Sequence, residues 1–194
     1  MPLSVIQGGG GSPYVRFSIE ENEWMQSSEN GLEAFDVKSA PILIDVNKVE
    51  MGWLKLAGGR DWQPWPDNNP QKLERPSDQH TQGFNVKLYS TKLFGDEPVR
   101  ELCSSQIGLI DWIKQLYDAC EAAPEFATKV PAIKFGDAPK RKVGKGSTRT
   151  PEFEIVGWKD RPSEMAGQSE PVRSDPPAAA SSPAAASDDE DFVI

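Results

Sequence analysis

Five cations fall close together in one stretch of the chain: Lys140, Arg141, Lys142, Lys145 and Arg149, with Asp137 the only acid beside them. Clustered positive side chains can approach several phosphates and release their counterions, which gives an affinity that falls steeply with salt. The same run also fits a merely solvated surface. A second group is aromatic: Trp53, Trp62, Trp65, Tyr89 and Trp158. Trp62 and Trp65 sit in a polar, proline-rich stretch flanked by Lys55, Arg60, Lys72 and Arg75. Rings exposed beside cations stack on bases without choosing among them. Folded back with Pro64 and Pro66, the same two rings would plug one end of a barrel. Trp53 and Trp158 read as core. Lys87 and Tyr89 share one face of an alternating segment with Asn85 and join the candidate contacts. The third group ends the chain: Asp188, Asp189, Glu190 and Asp191, then Phe192, Val193 and Ile194. An acidic run closed by apolar residues suits a basic, apolar-lined groove on a partner, although it also fits a solubilising tail.

Catalytic chemistry is poorly provided for. His80 is the single histidine, which removes a histidine pair and the usual metal sites. The run Gly8, Gly9, Gly10, Gly11 lacks the Lys-Ser/Thr ending of a phosphate loop, and Gly144-Lys145-Gly146-Ser147-Thr148 lacks the glycine-spaced approach and following helix. Asp45, Glu50, Asp61 and Asp67 form no pattern. Cys103 and Cys120 give neither metal spacing nor a disulfide framework; Cys120 reads as core, in a reducing compartment. No enzyme, cofactor or metal is expected.

From Ser163 onward seven acids face the single Arg173, so this part holds −6 of the net −9 and leaves about −3 on the body. Residues 163–187, rich in Pro, Ala and Ser, bury too little to offset ordering entropy and are expected to be a disordered tether carrying a docking peptide at 188–194. Residues 1–13, with their four glycines, are expected to be flexible. Residues 14–162 suffice for one domain with a hydrophobic core. No apolar stretch is long enough to span a membrane and no signal-like segment begins the chain.

These residues need elements to hold them. Tyr14, Arg16 and Ser18 alternate with Val15, Phe17 and Ile19, predicting a first strand. Residues 32–37 form a weaker strand candidate. Residues 41–56 predict one long bent strand or two joined near 47–50, with Gly52 a candidate bend. Residues 57–83 read as a long irregular excursion, and 84–90 as a strand with Phe84, Val86 and Leu88 on one face. Ser104 or Ser105 is a candidate N-cap for a helix whose stripe is Leu109, Ile110, Ile113, Leu116, Tyr117 and Cys120, stopped by Pro124, with Trp112 packed beside it. Two strands, 130–135 and 152–158, then flank the basic loop. Three strand regions, a helix and two strands predict a mainly β fold: a five-stranded barrel of the oligonucleotide-binding type, with the helix between the third and fourth strands and the basic loop in a ligand-gripping position.

With these features in view, the chain resembles phage-encoded single-stranded DNA-binding proteins, most sharply through residues 188–194. It departs from the bacterial pattern in which proline precedes a final phenylalanine, since Val193 and Ile194 follow Phe192. The body is similar to uncharacterised phage and prophage proteins through Gly52-Trp53, Pro76-Ser77-Asp78-Gln79-His80-Thr81-Gln82-Gly83-Phe84 and Pro151-Glu152-Phe153-Glu154-Ile155-Val156-Gly157-Trp158. The resemblance implies nonspecific binding of single-stranded DNA in the cytoplasm of a bacterial host, recruitment of replication or recombination proteins by the tip, and an oligomer as an open possibility. The competing expectations are a virion structural or assembly protein with an acidic tail, and a nucleic-acid mimic that inhibits a nuclease or repair enzyme.

Overall fold

A computed structural model of the protein describes residues 12–166. The expectations for residues 1–11 and 167–194, the docking peptide among them, lie outside the described residues.

The first strand forms where alternation predicts it. β1 (Tyr14–Ser18) buries Val15 and Phe17 and exposes Tyr14 and Arg16. It continues into a meander of β2 (Glu23–Ser28) and β3 (Gly31–Phe35). The long strand region divides into β4 (Ile42–Ile44) and β5 (Glu50–Lys55) around a 3₁₀ turn at Val46–Lys48. Gly52 lies within β5 because a Cβ there would come within 2.4 Å of the Gln63 carbonyl oxygen; close approach of the next strand, not a bend, requires it. That strand, β6 (Asp61–Pro64), lies in the stretch expected to be irregular. β7 (Thr81–Tyr89), the short helix α1 (Thr91–Phe94) and β8 (Val99–Ser104) precede the long helix α2 (Ile107–Glu121). β9 (Lys129–Phe135), the hairpin β10 (Lys140–Val143) and β11 (Gly146–Arg149), β12 (Phe153–Asp160) and α3 (Ser163–Ala166) complete the order.

The oligonucleotide-binding barrel does not form. The strands make an open sheet in the order β12-β9-β4-β7-β8-β1-β2-β3, with β5 on β7 and β6 on β5, and β10-β11 as a separate ribbon. Closure would need β1 to offer an edge to a late strand. Instead β1 is hydrogen-bonded on both sides, antiparallel to β2 and parallel to β8, which leaves β3 and β12 as the two ends of the path. The result is a mixed α/β fold, and the helix falls between the eighth and ninth strands rather than the third and fourth.

α2 covers one face of the sheet. Leu109, Trp112, Ile113, Leu116 and Cys120 are buried along it, as its stripe predicts, and Trp112 stacks on Phe135 with centroids 5.4 Å apart. Phe17, Trp24, Phe84, Val86, Leu88, Leu102 and Ile133 fill the same cluster, and Phe153 and Trp158 pack at its margin. Each large side chain buried there contributes about 1.5–3 kcal/mol. The helix starts after Gln106, not at a serine cap; the Ser104 hydroxyl instead accepts from the Gln106 amide at 3.1 Å. Order also runs past 162, since α3 buries Met165 and Lys87 Nζ donates to the Met165 carbonyl at 3.0 Å. No helix among the described residues is long and apolar enough to cross a membrane.

Candidate functional site

The expected contact residues divide between two places. The first is the β10–β11 ribbon. Lys140 pairs with Arg149 and Val143 with Gly146 across its register, and Gly144 turns the chain at φ 56°, where a side chain would be strained. The basic segment is thus a hydrogen-bonded hairpin rather than a loose loop. Lys140, Arg141, Lys142 and Lys145 are exposed, and none of them takes part in an ion pair among the described residues. Arg149 differs: its Nε donates to the Ile19 carbonyl at 3.1 Å and a terminal nitrogen to the Ala138 carbonyl at 2.9 Å, which fastens the ribbon to the body.

The second place is a cleft of about 740 Å³ against β7 and β8, lined by Arg60, Trp62, Lys87, Glu101 and Arg161 among others. Asn85, Lys87 and Tyr89 alternate with the buried Phe84, Val86 and Leu88, as period two dictates. The register sets Asn85 opposite both Glu50 and Cys103, and Lys87 opposite Glu101. Arg60, from the turn of the β5–β6 hairpin, reaches Glu101 at 2.7 Å, and Arg161 reaches Asp45 at 2.6 Å and Asn47 at 3.1 Å. Burial pushes the Asp45 carboxyl above its ordinary range despite Arg161, and pushes the Cys103 thiol up to about 11, which makes it a poor nucleophile. The Trp62 indole N–H points at Glu50 at a long 3.4 Å. Lys48, Arg60, Lys87 and Arg161 face Asp45, Glu50 and Glu101, so the lining carries a small positive excess on an acidic chain.

Trp65 is not in the cleft. It is 6% exposed and lies edge-on to Trp53 at 5.3 Å. Of the two rings read from that stretch, one is packed and the other lines a cavity. Lys55 sits opposite Asp61 in the β5–β6 pair, and Tyr89 is half-buried beside Leu43 and Val99. The structure thus brings Arg60, Trp62 and Lys87 together, while the ribbon contributes no lining residue to the cleft. His80 is 3% exposed and uses both ring nitrogens, on Ser77 Oγ at 2.8 Å and Asp61 Oδ2 at 3.0 Å; this hydrogen bond holds the Asp61 carboxyl below its usual range. Among the described residues no cluster of His, Cys, Asp or Glu could hold a metal ion.

Sequence reasoning missed Asn85, Arg161 and Met165 in the cleft. Asn85 carried a signal, since alternation set it on one face with Lys87 and Tyr89; Arg161 and Met165 carried none. No family model, curated protein or solved structure matches this chain.

Proposed function

We propose that this protein binds single-stranded DNA without sequence preference and without catalysis, in phage replication or recombination inside a bacterial host, and recruits partner proteins through residues 188–194. One observation carries the reading: Lys140, Arg141, Lys142 and Lys145 stand exposed on a hydrogen-bonded ribbon and are tied to no carboxylate among the described residues. Arg60, Arg149 and Arg161, by contrast, are each held by a partner in the body. Uncommitted charges on a fixed scaffold suit a polyanion, because counterion release supplies the binding free energy and little side-chain pairing must be broken. Single strands are favoured over duplex because unstacked bases can reach aromatic faces that duplex bases cannot.

The test is a titration of the full chain with labelled single-stranded and duplex oligonucleotides at two salt concentrations. Tighter single-strand binding that weakens with salt supports the reading, and replacing the four ribbon cations by Gln should flatten that salt slope with the fold intact. Equal or tighter duplex binding, or an unchanged slope in the variant, overturns it. Salt-insensitive failure to bind either form favours a virion assembly role instead.

A further inference from the structure

We propose that the cleft on the sheet face opposite α2 is a second contact for single-stranded DNA, distinct from the ribbon, in which Trp62 and Tyr14 supply the stacking faces. The inference rests on the function proposed above. Tyr14 is 40% exposed, a large aromatic left uncovered on an outer sheet face. The parallel β1–β8 register places it opposite Glu101, and β7–β8 places Glu101 opposite Lys87, so the three stand in one row across neighbouring strands. Ser12, Glu101 and Lys87 line the cleft and Trp62 forms part of its wall, while Tyr14 is not among the lining residues but stands next to one of them, Glu101, in the strand register. Strands about 4.8 Å apart put a ring on β1 and a cation on β7 roughly two strand spacings from each other, a span that one nucleotide with its phosphate can bridge. A cavity of about 740 Å³ falls within the range of about 300–1,000 Å³ typical of ligand sites.

The charges point to the same ligand. The lining is slightly positive although the whole chain carries −9. Arg60 is held by Glu101 at a partly exposed position, from which a phosphate can draw it. The floor holds a further polar group: the Asn85 side-chain oxygen is buried without a hydrogen-bond partner. A base edge or a water carried in with the strand can satisfy it once the side chains above it shift.

The experiment compares full-length wild type, Tyr14→Ala, Tyr14→Phe, Trp62→Ala and the four-cation ribbon variant. Each is titrated with a fluorescein-labelled mixed-sequence oligonucleotide, and each has its melting temperature measured. Tyr14→Ala should weaken binding about tenfold at unchanged melting temperature, and Tyr14→Phe should restore it, because the ring and not the hydroxyl stacks. Unlike the ribbon variant, the aromatic variants should keep the wild-type salt slope, since stacking releases no counterions. An iodouracil-substituted strand photocrosslinked to wild type should attach to peptides containing Tyr14 or Trp62; this readout holds even if Trp62→Ala folds poorly. Wild-type affinity in Tyr14→Ala together with crosslinks confined to 140–149 would overturn the cleft and leave the ribbon as the site. Absence of any single-strand binding by wild type would overturn the functional reading itself, and the cleft with it.

Discussion

At the scale of single residues, Trp65 and Asp45 pull in opposite directions on stability. Trp65 is buried edge-on to Trp53, and its backbone amide donates to the Met51 carbonyl at 2.8 Å, so the ring anchors the stretch that follows β6. Its indole N–H is buried without a partner, an unpaired donor that costs about 1–3 kcal/mol. Trp65→Ala should therefore lose about 3–5 kcal/mol in urea unfolding, whereas Trp65→Phe, which keeps most of the area and removes the orphan, should lose less than half as much. Equal losses in the two variants would show that the N–H finds a partner in solution. Asp45 lies at a place where burial disfavours charge. Its carboxyl, raised above the ordinary 3.8, binds a proton more tightly in the folded than in the unfolded chain. Its contribution to stability is thus greatest below 3.8 and falls as pH rises through the raised folded value. Asn at this position cannot titrate, so the stability of Asp45→Asn relative to wild type should climb across that same interval and then level off. Urea midpoints measured from pH 3 to pH 8 give the comparison; parallel curves would mean that Arg161, at 2.6 Å, cancels the effect of burial.

At the scale of elements, the contact between α2 and the ribbon turns on Gly108. A Cβ there would lie 2.0 Å from the Arg149 carbonyl oxygen and 2.7 Å from Thr148 Oγ1, so the helix must be bare at this point for β11 to lie against it. In an exposed helix Gly→Ala stabilises by about 1 kcal/mol, but overpacking a tight contact costs about 1–3 kcal/mol, and the overlap is severe enough for the second effect to win. Gly108→Ala should lower stability and speed amide exchange in β10 and β11 more than in the central sheet, because the shift also strains the two hydrogen bonds of Arg149. Uniform exchange would show that the ribbon does not rest on the helix. The elements also show what the chain discloses. α2, β1 and β7 from Phe84 onward are legible because period and burial agree there, and β9 is legible as a short apolar run. β8 is not, since its inward set includes Arg100, which is buried over the Phe94 ring and reads as surface in the sequence. β2 hides for a similar reason, with Trp24 alone fully buried in Glu23–Ser28, and β6 ends at Pro64, which suits an edge strand and reads as loop. With β2, β6 and β8 uncounted and β10 and β11 read as loop, the remaining order imitates a barrel. The basic cluster was legible because it depends on composition within ten consecutive residues, but its pairing into the β10–β11 ribbon was not. The cleft was not, because it needs residue 14 beside 101 and residue 161 beside 45, pairings that no local pattern encodes.

At the scale of the whole molecule, charge is divided unevenly. Residues 188–191 carry four carboxylates, and the ribbon carries cations that no acid among the described residues pairs. On one chain the two compete with DNA for each other by mass action, at an effective concentration set by the connection between them, which falls as that connection lengthens. Deleting residues 188–194 should therefore raise single-strand affinity modestly at low salt and leave it unchanged near 0.5 M, where the Debye length is about 4 Å and tail and phosphate are equally screened. The ribbon variant, which lacks the cations, should show no gain on deletion at any salt. The same deletion should abolish capture of a polymerase, helicase, nuclease or recombination partner, and Phe192→Ala alone should weaken it, because an aromatic anchor carries a disproportionate share of an interface. Because DNA affinity and partner capture are separate readouts, a tail-less protein that captures the same partners to the same extent would overturn recruitment even if its DNA affinity rises. A gain in affinity that persists undiminished in the ribbon variant would place the tail's electrostatic target elsewhere on the body.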